Sequence, residues 1–257
     1  MLNPALIIGH RGAAAFLPEN TMASFRLAFE QGAPMIEFDV HLSKDGIPVI
    51  IHDAKLERTT NGKGFVSRFT AAALKQWDSG YFFDPDKRRD FPQRGKGLRI
   101  PTFEEMLLEF KTQGLCVEIK ENSTEIAHKV MGLIRTYGAE SRCIVGSKYF
   151  VVSQTLKKYY PTIKRFLSKR ELIMHYLCHK AGGPAMPNDP QAVASMPLEA
   201  CGLAFGNADF IDYLHARDIA VFYWTINNPL VMKALKKRGA DGMITDNPKL
   251  AIETLGI

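Results

Sequence analysis

Two acidic residues, Glu37 and Asp39, sit in the apolar run MIEFDV, and a third, Glu118, sits in LCVEIK. In extended chain alternate side chains share a face, so Glu37, Asp39 and His41 oppose Ile36, Phe38 and Val40. The same alternation sets Cys116, Glu118 and Lys120 against Leu115, Val117 and Ile119. Three carboxylates on two such strands offer hard oxygen ligands without a thiol, which suits one divalent cation, Mg²⁺ or Ca²⁺. The alternative is a structural salt-bridge cluster with Arg11 and Lys120. A buried ion pair is a poor source of stability, and three acids against two bases leave a surplus negative charge that a metal would neutralise. His10 ends the run IIGH and His52 ends VIIH. Imidazoles beside an acidic site supply what general acid–base catalysis near neutral pH requires. Arg11 offers a planar fork for phosphate and Lys120 a point charge. Trp224, in FYWTIN, shares a face with Phe222 and either lines a substrate pocket or packs in the core. His41, His128, His175, His179 and His215 have no comparable setting.

The elements that must carry these residues alternate along the chain. Strand-like runs fall at residues 5–9, 35–40, 115–119, 143–146, 162–167, 202–205, 220–224 and 242–245, with amphipathic helical segments between them. Thr102 with Glu105 forms a capping box at a helix start that Gly114 would end, and Asn20 or Thr21 caps an earlier helix that stops at Gly32. Eight strands each followed by a helix predict an α/β chain of the (β/α)₈ TIM barrel class. A doubly wound open sheet shares the alternation, since closure leaves no mark on sequence. A ninth run, residues 48–51, follows Asp45-Gly46, the signature of a two-residue hairpin turn. Centred between 45 and 46, that turn sets His52 opposite Asp39. Residues 54–100 then form a small insertion between the hairpin strand at 48–52 and the helix starting near Thr102. An interval this long is expected to act as a cap or lid. Residues 181–197, rich in Pro and Gly, read as a surface loop or a second lid.

Composition narrows the class. A chain of 257 residues with 46% hydrophobic content can bury a large core, and residues 1–257 are expected to form one domain. Its 33 basic and 27 acidic residues give +6, which favours anionic partners; the basic residues are dispersed, and no nucleic-acid motif appears. Cys116, Cys143, Cys178 and Cys201 are widely spaced and read as free thiols. The opening MLNPALIIGH has neither a basic leader nor an apolar run long enough to span a bilayer, so a cytoplasmic protein without a membrane span is expected.

Taken in order, HRG (10–12), PENT (18–21), EFDVHLSKDG (37–46), VIIHD (49–53), IPTFEE (100–105), EIK (118–120), WTIN (224–227) and GMITDNP (242–248) give a chain that resembles the glycerophosphodiester phosphodiesterase family over nearly its whole length. The resemblance implies a TIM barrel with a small insertion before the helix near Thr102. It implies a divalent cation on Glu37, Asp39 and Glu118, an acid–base pair of His10 and His52, phosphate held by Arg11 and Lys120, and Trp224 against the glycerol carbons. The substrate implied is a small glycerophosphodiester, cleaved to sn-glycerol 3-phosphate and an alcohol. VGSKYF departs from the family after the fourth strand, where Gly146, Ser147 and Lys148 carry no assigned role.

Two other readings use the same residues. A lysophospholipase D activity on acyl-bearing substrates would draw on residues 81–99, where Tyr81, Phe82, Phe83 and Phe91 alternate with six basic side chains and offer transient contact with a lipid surface. A noncatalytic anion-binding barrel would use the +6 charge, but it predicts a broken member of the acid–base or ligand set, and all are present.

Overall fold

The computed structural model describes residues 5–182, 186–200 and 202–257. In chain order the elements begin β1 (Leu6–His10), α1 (Met22–Glu30), β2 (Met35–Leu42), β3 (Pro48–Ile50), α2 (Ala71–Leu74), α3 (Phe103–Glu109), β4 (Gly114–Ile119), α4 (Thr124–Thr136), β5 (Cys143–Gly146), α5 (Phe150–Tyr159) and β6 (Lys164–Phe166). They continue α6 (Lys169–Ala181), β7 (Ala192–Met196), β8 (Glu199–Ala200), β9 (Leu203–Ala204), α7 (Ala208–His215), β10 (Ala220–Tyr223), α8 (Pro229–Lys237), β11 (Gly242–Thr245) and α9 (Pro248–Leu255). Parallel pairing runs β1–β2–β4–β5–β6–β7–β10–β11 and returns to β1, whose Ile8 pairs with Ile244 on one side and Met35 on the other. The sheet therefore closes, giving the expected (β/α)₈ TIM barrel and excluding the open sheet.

Alternation sorts the core into layers. Ile8, Cys116, Ile144, Phe166, Val193, Phe222 and Ile244 fill the barrel interior, while Ile36, Phe38, Val40, Leu115, Val117 and Ile119 face outward onto α1, α3 and α4. A parallel strand buried on both faces needs apolar residues at successive positions, which is why polar ones stand out at the C-terminal strand ends. The Thr102–Glu105 capping box is present, but α3 stops at Glu109 with Phe110 as its cap, and Gly114 opens β4 instead of ending the helix. Thr21, through its hydroxyl, caps α1.

The sixth barrel strand lies elsewhere than expected. It is β7 at 192–196, within the interval read as a loop or lid, whereas residues 202–205 supply only β9, half of a two-stranded hairpin with β8. Ala192, Ala194 and Met196 pack outward, and Val193 packs inward. Two alanines and a serine take three of the five positions, so the β-branched run that marks a strand is missing. The hairpin register also differs by one. Val40 pairs with Ile50 and His41 with Val49, which puts Ile51 opposite Asp39: Ile51 N donates to Asp39 O at 3.0 Å. The cause is a three-residue loop, Lys44–Gly46, closed by Ser43 N donating to Ile47 O at 3.0 Å with Gly46 at φ 72°.

Residues 54–100 form a cap with its own small core. Leu56, Val66, Ala71, Leu74 and Ile100 are buried with Val49 and Ile51 of the hairpin, and Phe69 and Trp77 pack against them. Cys116 and Cys143 are buried free thiols and Cys178 a half-buried one; Cys201 lies outside the described residues. No helix among the described residues is long and apolar enough to cross a membrane.

Candidate active site

Barrel closure gathers the polar strand ends into one mouth. A cavity of about 420 Å³ is lined there by His10, Arg11, Glu37, His52, Glu118, Lys120 and Trp224, all predicted site residues. Asp39, the remaining one, lies beneath, fully buried. One oxygen each of Glu37, Asp39 and Glu118 come within 4.8 Å of one another. Arg11 Nε lies 3.1 Å from Asp39 Oδ2, and Lys120 Nζ lies 2.9 Å from both Asp39 Oδ1 and Glu118 Oε2. The salt-bridge cluster weighed as the alternative thus exists, but it leaves one acid out. Among the described residues no cation pairs with Glu37, whose Oε2 accepts only from the Arg11 backbone N–H at 3.3 Å.

The electrostatics follow from that imbalance. Burial, then the neighbouring Asp39 charge, pushes the Glu37 carboxyl up to about 8. Burial would also raise Asp39, but Lys120 and Arg11 hold it below the usual carboxylate range. Asp39 Oδ1 is buried with the Lys120 ammonium, 2.9 Å away, as its partner. An acidic pocket with one uncompensated carboxyl fits a divalent cation, and its all-oxygen donors are those of Mg²⁺ or Ca²⁺.

The loop after β1 positions Arg11. Arg11 itself has φ 52°, and Gly12 follows at φ 93°. A Cβ on Gly12 would stand 2.4 Å from Ser24 Oγ, so only glycine lets this loop rest on the start of α1. Asn20, also at positive φ, donates its side-chain amide to Asp39 Oδ2 at 2.8 Å and its backbone N–H to Arg11 O at 3.0 Å.

Each mouth histidine is braced by an aspartate that the sequence reading left without a role. His10 Nδ1 lies 2.7 Å from Asp246 Oδ1 and His52 Nδ1 lies 2.6 Å from Asp53 Oδ1. Asp53 stands in VIIHD and Asp246 in GMITDNP; the acid directly after His52 is a signal in the sequence, whereas nothing near Asp246 in the chain points to His10. Asp246 is fixed by Asn227 Nδ2 at 2.6 Å. Asp53 pairs with Arg58 of the cap, which also donates to both oxygens of Glu19, and Glu19 accepts from Arg11 at 2.9 Å. His41, near the C-terminal end of β2, donates Nε2–H to the His52 carbonyl at 3.2 Å. Burial pulls the His10 imidazole down, but the Asp246 hydrogen bond and the Glu37 charge outweigh it, and the ring titrates above its ordinary value. Burial, reinforced by Lys120 and Arg11, keeps His52 below its ordinary value despite the attraction of Asp39. Two imidazoles separated in this direction can serve as an acid and a base at one pH.

Trp224 stands 43% exposed at the rim, so it is a mouth residue and not a core one. Lys148 and Ser147, which carried no role, also line the cavity, as do Phe166, Leu167, Leu172, Ile173, Leu203 and Phe205 on the opposite wall. No residue of 81–99 lines it, so that segment does not meet a substrate in this cavity.

A closed barrel whose C-terminal mouth gathers three carboxylates, two histidines, an arginine and a lysine has the parts of a TIM-barrel hydrolase acting on a phosphate ester. Residues 10–250 match the glycerophosphoryl diester phosphodiesterase family, and this chain belongs to that family. It is 32% identical over 252 residues to a glycerophosphodiester phosphodiesterase of Caldanaerobacter subterraneus, with 96% of each chain covered. A human lysophospholipase D is 27% identical over 262 residues, covering 94% of this chain and 83% of the human one. A solved phosphodiesterase of Oleispira antarctica, in complex with the product sn-glycerol 3-phosphate, superposes with TM-score 0.79 and 25% identity over 98% of this chain and 96% of its own. The chain is accordingly a glycerophosphodiester phosphodiesterase, a phosphoric diester hydrolase.

Proposed function

We propose that this enzyme cleaves small glycerophosphodiesters to sn-glycerol 3-phosphate and an alcohol, with one divalent cation on Glu37, Asp39 and Glu118 and with His10 and His52 as its acid–base pair. The observation that carries the reading is the meeting of a cation-deficient carboxylate trio with two aspartate-braced histidines at one barrel mouth. When bound, the cation neutralises charge on the nonbridging phosphate oxygens and lowers the pKa of the attacking hydroxyl. Arg11 and Lys120 orient the phosphate, while Trp224 packs against the glycerol carbons. His52, neutral near pH 7 because its pKa is depressed, takes the proton from the glycerol hydroxyl next to the diester as that oxygen attacks phosphorus. His10, whose pKa is raised, delivers a proton to the departing alkoxide. The resulting cyclic phosphate is opened by water with the two roles exchanged. The product held by the Oleispira relative, sn-glycerol 3-phosphate, supports the same substrate class. We read residues 1–257 as one catalytic unit acting in the cytoplasm, with the 54–100 cap as part of it.

The test is release of glycerol 3-phosphate across a panel of glycerophosphodiesters with EDTA and then Mg²⁺ or Ca²⁺ added back. Activity should vanish with chelation and return with metal; metal-independent turnover would overturn the cation site. His10→Ala and His52→Ala should each lose at least about 10²-fold in kcat, the usual share of a general acid or base.

A second reading is favoured by one observation. The wall opposite the catalytic residues is apolar, formed by Phe166, Leu167, Leu172 and Ile173, and the human relative is named a lysophospholipase D. An acyl chain placed on that wall would make lysophosphatidylcholine a substrate, and its turnover beside glycerophosphocholine decides between the two.

A further inference from the structure

The catalytic cavity has a neighbour at the barrel rim. Lys148, Lys169 and Ile173 line both it and a second groove of about 480 Å³ that runs outward over the rim between α5 and α6. Tyr149, Phe150, Val151 and Met174 give this groove its apolar surface, and Lys148, Lys169 and Arg170 its charge; no carboxylate lines it. Val151 is 43% and Met174 46% exposed, and Leu177, one turn further along α6, is 52% exposed. Single exposed apolar residues are ordinary on any protein, but a contiguous strip marks a binding face. The cations are held along the strip by its own rings, with the Arg170 guanidinium 4.6 Å from the Phe150 ring centre and the Lys148 ammonium 5.1 Å from that of Tyr149. The nearest acid of α6, Glu171, is turned inward: it closes the helix cap with Ser168 and accepts from Ser153 and Arg165. The groove is therefore lined by apolar and cationic side chains together with Asn122.

We propose that this α5–α6 rim is the face by which the enzyme docks on an anionic lipid surface. Charge complementarity selects the partner's sign, since basic side chains beside an apolar strip are what a negatively charged interface attracts. The shared wall of Lys148, Lys169 and Ile173 selects a lipid over a protein: a molecule reaching across it from the mouth to the groove would present a phosphate to Arg11 and Lys120 and an apolar chain to Ile173 and Met174, which is the chemistry of an amphiphile. That choice rests on the diesterase reading of the mouth; the anionic docking itself does not. The cap tip, with Phe82 exposed among Lys87, Arg88 and Arg89, is the competing face, but it has no opening into the catalytic cavity.

Flotation of the full chain tests this, using vesicles of phosphatidylcholine and phosphatidylglycerol in equal parts beside vesicles of phosphatidylcholine alone. The protein should float with the anionic vesicles and not the neutral ones. Arg170→Glu combined with Met174→Ser should cut the bound fraction at least about tenfold, as expected for reversing one charge at a lipid surface and removing one apolar anchor. Turnover of water-soluble glycerophosphocholine should stay at the wild-type rate, which also shows the variant is folded, and Arg170→Glu alone should give the same direction. Absence of flotation on anionic vesicles would overturn the proposal. So would unchanged flotation of the double variant, loss of flotation with Arg88→Glu/Arg89→Glu instead, or capture of an acidic protein without vesicle binding. Flotation without any turnover by the wild type would sink the diesterase reading and leave the docking face standing.

Discussion

At the scale of single residues, the site is organised by which groups carry uncompensated charge. Asp246 is the clearest case: its carboxylate keeps the His10 imidazole protonated to higher pH than burial alone would allow. If His10 donates the proton to the leaving group, the alkaline limb of the pH profile of kcat/KM reports its titration. Asp246→Asn removes the stabilising charge, lowers that pKa and should move the alkaline limb to lower pH; a profile that keeps its position while dropping in height would assign Asp246 a packing role only. Glu37 gives a stability prediction with a definite sign. Its carboxyl is raised in the folded chain, so the proton is bound more tightly folded than unfolded, and the associated stability is full below the ordinary carboxylate pKa and lost as pH rises towards about 8. In chelator the melting temperature should therefore fall between roughly pH 5 and pH 8, and Glu37→Gln should flatten that fall. An equal slope in the variant would mean that Glu37 is not the buried acid responsible. Asp53 and Asp246 both stood in legible motifs, but a carboxylate's partner is a matter of distance, and only His52 is adjacent in sequence to its own.

At the scale of elements, the β2–β3 hairpin carries two carboxylates up one strand and brings His52 back down the other. Its loop decides the register. Asp-Gly correctly announced a hairpin, yet the loop has three residues because Gly46 takes the left-handed position while Asp45 Oδ1 accepts from Ser43 Oγ at 2.5 Å and from the Ala71 N–H at 2.9 Å, tying the turn to the cap. A local motif could not disclose that last bond, since Ala71 arrives from the insertion. Adding one residue within Lys44–Gly46 slips the pairing and turns alternate side chains to the opposite face, so kcat/KM should fall at least about 10²-fold while the barrel still folds. Gly46→Ala strains only one residue, and a Cβ there meets the mobile end of Lys129. It should cost roughly 1 kcal/mol of stability and leave kcat/KM within about twofold. Thermal melts with steady-state kinetics on both variants check the contrast, and equal activity loss in the two would remove the register argument. The missed β7 belongs to this scale too. Ala192, Ala194 and Ser195 are small where strand periodicity is usually read from bulk; α6 and α7 pack over Ala192 and Ala194, while Ser195 lines the mouth cavity.

At the scale of the whole molecule, we propose that the closed barrel and the cap unfold as one body. The cap's core includes Val49 and Ile51, which lie on the same hairpin as the site, and Ile50 N donates to Pro101 O at 2.8 Å, so the cap has little to hold it apart from the barrel. The two tryptophans separate the regions, Trp77 in the cap and Trp224 at the mouth. In Trp224→Phe, Trp77 fluorescence should follow the same unfolding curve as backbone circular dichroism, whereas an earlier fluorescence transition would show the cap melting alone. Strand alternation is a local property of period two, so the sequence by itself determined that Glu37, Asp39 and Glu118 face inward, that the helices cover the other side, and that eight βα units follow one another. Hairpin register, the true sixth strand and the aspartate that braces His10 were decided only by tertiary structure. That pair spans 236 residues and meets because β1 and β11 become neighbours when the sheet closes, an event set by the packing of the whole core and by no short stretch of chain.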